Sequence, residues 1–151
     1  MDCATSIWWT GPICGLGNRL IALAAVKACA GDRIVNFPWR NEPACPGDYD
    51  DVFEVMPGLA PTSGPDPDFS PPAGAVVIST GWEPIEIYEQ FRAALSLDLT
   101  LEKFCKALVH ELRGIAFKSV LTEDAKQWRA LTSQGALAGV HIRRTDRSDQ
   151  H

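Results

Sequence analysis

The sequence has few side chains that could bind a structural metal or form a network of disulfides. Its five cysteines are odd in number, no two show C-x-x-C spacing, and only three histidines could join them. We therefore predict neither a disulfide framework nor a metal site. Cys29 and Cys105 fall in apolar helical patterns and are expected to be small buried hydrophobic residues.

Targeting and membrane signals are also missing from the sequence. No basic segment precedes an apolar core at the N-terminus, and the longest apolar run, residues 20–30, is broken by Lys27. We predict no signal peptide and no membrane-spanning helix, which favours a cytoplasmic protein. The net charge of −5 argues against a nucleic-acid partner, because proteins that bind nucleic acid electrostatically are usually basic.

What the sequence does have is the composition of an ordinary globular domain. Over 151 residues, 46% are hydrophobic and 22% charged, which is enough to bury a sizeable core. The first predicted strand, residues 4–10, is rich in β-branched and aromatic residues and ends at a glycine-rich loop. A helix follows to Ala30, with Asn18 as its predicted N-cap. Because this helix is apolar on nearly every face, we expect it to be covered on both sides.

Further strands and helices are predicted along the rest of the chain. We expect strands over residues 33–37, closed by Pro38, and over 75–80. Most of the 11 prolines lie between these strands, so residues 56–74 are predicted to be irregular, after a short helix within 48–55. Helical spacing of apolar residues then predicts helices over 85–97 and 101–117, and a last helix from Thr122. The fold class is α/β.

The strand, glycine loop and helix near the N-terminus form a possible anion site. Backbone N–H groups and the positive end of the helix dipole would face the loop that contains Gly15 and Gly17. A tight turn in which the glycines only relieve crowding explains the same pattern. A Walker A loop and a dinucleotide fingerprint are both excluded, the second because Leu20 stands where a third small residue is needed.

A second cationic feature lies near the end of the chain. An apolar run from residue 137 stops at Arg143 and Arg144, which is typical of a strand that presents cations at its carboxyl end. Asp146 could orient one guanidinium while the other binds a phosphate. The alternative is a solvated cluster of ion pairs that includes Arg147.

Together, the two motifs resemble the GDP-fucosyltransferase superfamily. They are Gly15-Leu16-Gly17-Asn18-Arg19-Leu20 and His141-Ile142-Arg143-Arg144-Thr145-Asp146. The likeness is greatest to the α1,6-type enzymes, including the nodulation fucosyltransferases and their bacterial relatives. The resemblance implies a GT-B architecture of two facing Rossmann-like domains. It also implies inverting transfer of L-fucose from GDP-fucose to a glycan or protein hydroxyl, with no metal and no cofactor.

The resemblance assigns roles to individual residues. Arg143 corresponds to the arginine that holds the β-phosphate and stabilises the departing GDP, so it is the candidate catalytic residue. The other candidates would bind or surround the donor, and they are Gly15, Gly17, Asn18, Arg19, His141, Arg144 and Asp146.

The chain departs from the family after the arginine motif. In the family that motif opens the donor domain, whereas here the sequence ends at His151, the position of the acidic candidate base. We expect residues 1–134 to form an N-terminal, acceptor-side α/β domain. Residues 135–151 would be the opening strand and arginine motif of a donor domain that is otherwise missing. The chain would then be an incomplete enzyme without activity of its own.

Two other functions remain open. A Rossmann-like module could bind a nucleotide or sugar phosphate without catalysis, through Arg143 and the glycine loop. An NADP-linked reductase would need Arg40 to bind the 2′-phosphate, and the missing third glycine argues against it.

Overall fold

The computed structural model describes residues 6–11, 15–43, 45–64 and 66–132. The chain divides into two compact units, residues 1–116 and residues 117–151. The described part of the second unit is dominated by one helix, α5 (Ser119–Thr132). All other elements below belong to the first unit.

A parallel sheet forms the centre of the first unit. Its strands are β1 (Ile7–Trp9), β2 (Val35–Arg40), β3 (Leu59–Gly64) and β4 (Val76–Ile78). They lie in the order β3-β2-β1-β4, and each neighbouring pair is parallel. The predicted α/β class is therefore confirmed. The two-domain GT-B arrangement remains a prediction.

Helices α1 (Leu16–Ala30), α3 (Pro84–Ala94) and α4 (Leu101–Arg113) accompany the sheet, and α2 (Tyr49–Val52) is a single turn. α1 packs against both α3 and α4. Its central side chains, such as Leu23 and Val26, are completely buried. The prediction that this helix is covered on more than one face is confirmed. None of the helices in the described residues is long and apolar enough to cross a membrane.

The core joins α1 to the inward faces of the strands. Trp9, Phe37 and Trp39 are buried, and the burial of β2 is nearly continuous rather than alternating. Continuous burial is typical of a central strand in a parallel sheet that is covered on both faces. Tyr49 and Phe53 extend the aromatic cluster from β2, with ring centroids 4.8 Å apart.

The start of α1 differs from the prediction. The helix begins at Leu16, and Gly15 is the N-cap, with φ −65° and ψ 161°. Asn18 therefore lies inside the first turn, so its predicted role as the N-cap is wrong. Gly15 adopts the extended conformation that an N-cap requires, but it has no side chain to cap the helix.

The proline-rich region is more regular than predicted. β2 continues through Pro38 to Arg40, and Leu59–Gly64 forms the edge strand β3 within the segment predicted to be irregular. β1 pairs with β2 only as far as Asn36, so Pro38 lies where β2 has a single neighbouring strand. A residue without an N–H group is tolerated at such an edge.

Three smaller predictions were also inaccurate. Cys105 is exposed, because it lies on the outer face of α4, whereas Cys29 is buried as expected. α5 begins at Ser119 rather than Thr122, and α4 ends at Arg113. The short helix α2 was predicted correctly, and its capping box joins Asp48 and Asp51.

Candidate ligand site at the carboxyl edge of the sheet

The connections between the strands define where a ligand would bind. From β1 the chain passes through α1 to β2 on one side, and from β3 it crosses to β4 on the other side of β1. β1 and β4 therefore flank a point at which the winding direction reverses. In open α/β sheets, ligands bind outside the carboxyl ends of strands at such a point.

The structure has a cleft at this position, with a volume of about 370 Å³. That volume is within the range of small-molecule sites, about 300–1,000 Å³. Its described lining residues follow β1 and β4 or end β2. They are Thr10, Gly11, Arg40, Ser79, Thr80, Gly81 and Trp82.

A hydrogen-bonded chain organises the loop after β4. Trp9 Nε1, in the core, donates to Thr80 Oγ1 at 2.7 Å, and Thr80 Oγ1 donates to the main-chain oxygen of Gly81 at 3.0 Å. The Thr80 hydroxyl therefore has a structural role. It connects the buried indole of β1 to the wall of the cleft.

The same loop is also held from the first turn of α3. Glu86 Oε1 accepts a hydrogen bond from the Gly81 N–H at 3.0 Å. A Cβ atom at position 81 would lie 2.8 Å from Glu86 Oε2, so glycine allows this close approach. Trp82, the next residue, also lines the cleft.

Two hydroxyls at the carboxyl ends of β1 and β4 make fewer hydrogen bonds than the Thr80 hydroxyl does. Thr10 Oγ1 and Ser79 Oγ are 3.4 Å apart, which makes a long hydrogen bond. Since each hydroxyl has one donor and two acceptor sites, both have remaining capacity for a ligand. Gly11 follows directly with φ +73°, and a Cβ atom there would lie 2.7 Å from the Pro38 oxygen.

Arg40 ends β2 and is the only cationic residue among the described lining residues. Its backbone is held by Arg19, whose Nη1 donates to the Arg40 oxygen at 2.8 Å. Arg19 is completely buried, its guanidinium lies 4.6 Å from the centroid of the Trp39 ring, and its Nη2 donates to Glu42. Arg19 therefore packs beneath the edge of the sheet.

The other predicted donor residues of the glycine loop lie at the start of α1. Gly17 is exposed, with no heavy atom within 4 Å of the place that a Cβ atom would occupy, and Asn18 is half-buried. No side chain caps the helix at Gly15, and no acidic residue lies in the first turn. No carboxylate of the first turn therefore competes with an anion for the helix N-terminus, and the use of this N-terminus by an anion remains a prediction.

The second predicted cluster belongs to the part of the chain that the structure does not describe. His141, Arg143, Arg144 and Asp146 lie outside the described residues, as does the predicted domain boundary after residue 134. In the part of the chain that the structure describes, no group of three or more His, Cys, Asp or Glu residues could hold a metal ion.

Burial changes the acidity of one group beside Arg19. The pKa of the Cys45 thiol is raised, mainly by desolvation and also by Glu42, while Arg19 acts in the opposite direction. Cys45 is therefore a neutral thiol near neutral pH and not an activated nucleophile.

Sequence reasoning identified the glycine loop but not the cleft itself. From the sequence, Arg40 was considered only for an NADP phosphate. The Gly81-Trp82 pair directly after a predicted strand was the available signal. Arg40, which lines the same cleft, was assigned to a loop, because β2 was expected to end at Pro38. Comparisons with protein-family models, curated proteins and solved structures found no match.

Proposed function

We propose that this chain is part of a GDP-fucose-dependent glycosyltransferase, with the carboxyl edge of the sheet forming one wall of the donor cleft. The observation that carries the proposal is topological. The loop after β1 leads to the uncapped start of α1, at the same edge of the sheet as the cleft between β1 and β4. The resemblance of both sequence motifs supplies the identity of the donor.

The proposed chemistry is a single inverting displacement. The acceptor oxygen forms a bond to C1 of fucose while the bond from C1 to the phosphate oxygen breaks, and GDP leaves with the electron pair. Negative charge then grows on the β-phosphate, where the Arg143 guanidinium would stabilise it. The acceptor proton passes to a base.

A second candidate is a module that binds a nucleotide or sugar phosphate without catalysis. The cleft favours this candidate because its described lining residues include a cation, hydroxyls and an indole, but no Asp, Glu or His side chain. These groups bind and orient a ligand, whereas a transferase also needs a group that accepts a proton.

Titration of the purified chain with nucleotides tests the proposal. Calorimetry with GDP, UDP and NADP should show binding of GDP and discrimination against the other two. Preference for GDP supports the fucosyltransferase relationship. Equal affinity for GDP and UDP favours the binding module, and tighter binding of NADP contradicts the fucosyltransferase relationship.

A further inference from the structure

Arg40 has the properties of a ligand-binding cation rather than a structural one. Its side chain is half-buried in the wall of the cleft, and its guanidinium makes no ion pair or hydrogen bond with the described residues. The main-chain oxygen of the same residue is held by buried Arg19. A guanidinium on a fixed backbone is well suited to bidentate binding of a phosphate or carboxylate.

Trp82 supplies an aromatic surface in the same cleft. The residue is 38% exposed although it is large and apolar, and its loop is held by Thr80 and by Glu86. An exposed indole on a well-supported loop has a large area for contact at little cost in conformational entropy. Its electron-rich face attracts the weakly positive C–H groups on one face of a sugar ring.

The remaining polar groups match a sugar better than a flat base. Thr10 and Ser79 each retain hydrogen-bonding capacity and stand after β1 and β4, between which a ligand would enter. Sugar hydroxyls are both donors and acceptors, as these side chains are. A volume of about 370 Å³ accommodates one sugar ring with an anionic substituent.

We infer that the cleft between β1 and β4 binds a pyranose that carries an anionic group. The ring stacks on Trp82, its hydroxyls reach Thr10 and Ser79, and the phosphate or carboxylate pairs with Arg40. Glu86 is not among the described lining residues of the cleft, and its carboxylate accepts a hydrogen bond from the Gly81 N–H. The inference deepens the second candidate above, the module that binds a sugar phosphate, and it does not need fucosyl transfer, since neither Arg143 nor a nucleotide takes part.

Titration with four small probes tests this inference on the intact chain. Glucose 6-phosphate, glucuronic acid, glucose and inorganic phosphate are compared by calorimetry and by the NMR shift of the Trp82 indole N–H. We expect at least one of the two anionic sugars to bind more tightly than both glucose and phosphate. The better of them identifies the anion as phosphate or carboxylate. The inference is overturned if neither anionic sugar binds more tightly than both glucose and phosphate.

Variants locate the binding within the cleft. Arg40→Gln should weaken binding of the preferred anionic sugar about tenfold or more, because a hydrogen-bonded charge pair contributes about 1.5–3 kcal/mol. Arg33→Gln is the matched control, since Arg33 precedes β2 and is exposed at the opposite edge of the sheet. Trp82→Ala should weaken binding, and Trp82→Tyr should restore part of it. Equal affinities in the two arginine variants would contradict the assignment.

Arg40→Lys is a second variant that distinguishes a loss of binding from a loss of folding. It keeps the charge but not the planar fork, so we expect intermediate affinity. Unfolding midpoints are measured for every variant. If GDP fails to bind while an anionic sugar binds in an Arg40-dependent way, the proposed transferase is wrong and this inference stands.

Discussion

The guanidinium of Arg19 donates from Nη1 to the main-chain oxygen of Arg40, at 2.8 Å. One arginine, completely buried in α1, therefore fixes the backbone of another that lines the cleft. The contact connects the first turns of α1 with the carboxyl end of β2. It makes Arg19 a positioning residue for the cleft.

Replacing Arg19 with methionine should lower the free energy of unfolding by about 1–3 kcal/mol, the cost of leaving a buried polar group without its partner. Methionine fills much of the same space, but it cannot donate to the Arg40 oxygen or to Glu42. Urea denaturation measures the change.

The control for this variant is Arg33→Met. Arg33 is exposed, and its Nη1 donates only a long hydrogen bond of 3.3 Å to the Ala30 oxygen. Its replacement should alter stability by less than about 0.5 kcal/mol. Equal destabilisation by the two variants would show that the buried contact contributes nothing specific.

Gly11 and Gly17 should respond oppositely to alanine. Gly11 has φ +73°, and its Cβ would lie 2.7 Å from the Pro38 oxygen, so Gly11→Ala should cost at least about 1–2 kcal/mol of stability. Gly17 lies within α1 with open space around it, so Gly17→Ala should add about 0.5 kcal/mol. Thermal unfolding compares them. A stability loss in Gly17→Ala would contradict a helical conformation at position 17.

The buried thiol of Cys29 should make the protein less stable in alkali. Burial raises the pKa of Cys29 from 9.0 to about 12, so above pH 9.0 the unfolded chain loses this proton before the folded chain does. The contribution of this thiol to the free energy of unfolding is fully present below pH 9.0. It is lost as the pH rises to about 12, with a slope near 1.4 kcal/mol per pH unit. Urea denaturation across this pH range measures the slope.

Cys29→Ala is the control for the alkaline effect. Its stability should decline less steeply, though still measurably, because burial also raises the pKa of Cys45 and of Tyr49. Alkylation of the native protein, located by peptide mass spectrometry, should modify exposed Cys105 and spare Cys29. An unchanged slope in Cys29→Ala would mean that the Cys29 thiol has the same pKa in the folded and the unfolded protein.

Arg143 and Arg147 test the predicted arginine motif. Arg143→Ala should weaken GDP binding about tenfold or more, because one charge-assisted contact to phosphate contributes about 1.5–3 kcal/mol. Arg147→Ala, predicted to lie on the solvated side of the motif, should have little effect. Calorimetric titration with GDP compares them. Similar affinities would favour the solvated ion-pair cluster over a phosphate site.

Local pattern was sufficient to predict the α/β class and the burial of α1. The apolar residues of α1 occur on nearly every face, which is typical of a buried helix rather than a surface helix. The short helix α2 and the strand around Val76–Ile78 were likewise predicted from neighbouring residues. In each case the determining interactions lie within one turn or along one strand.

Only the tertiary structure decided which segment forms the edge strand of the sheet and which residues come together at the cleft. Leu59–Gly64 contains a proline and few β-branched residues, so it forms a strand only because β2 offers a parallel partner. The position of Arg19 depended on Trp39, Arg40 and Glu42, which are remote from it in sequence. A buried arginine is stable where several such partners contact it. The spacing of residues along one segment does not predict which remote residues those will be.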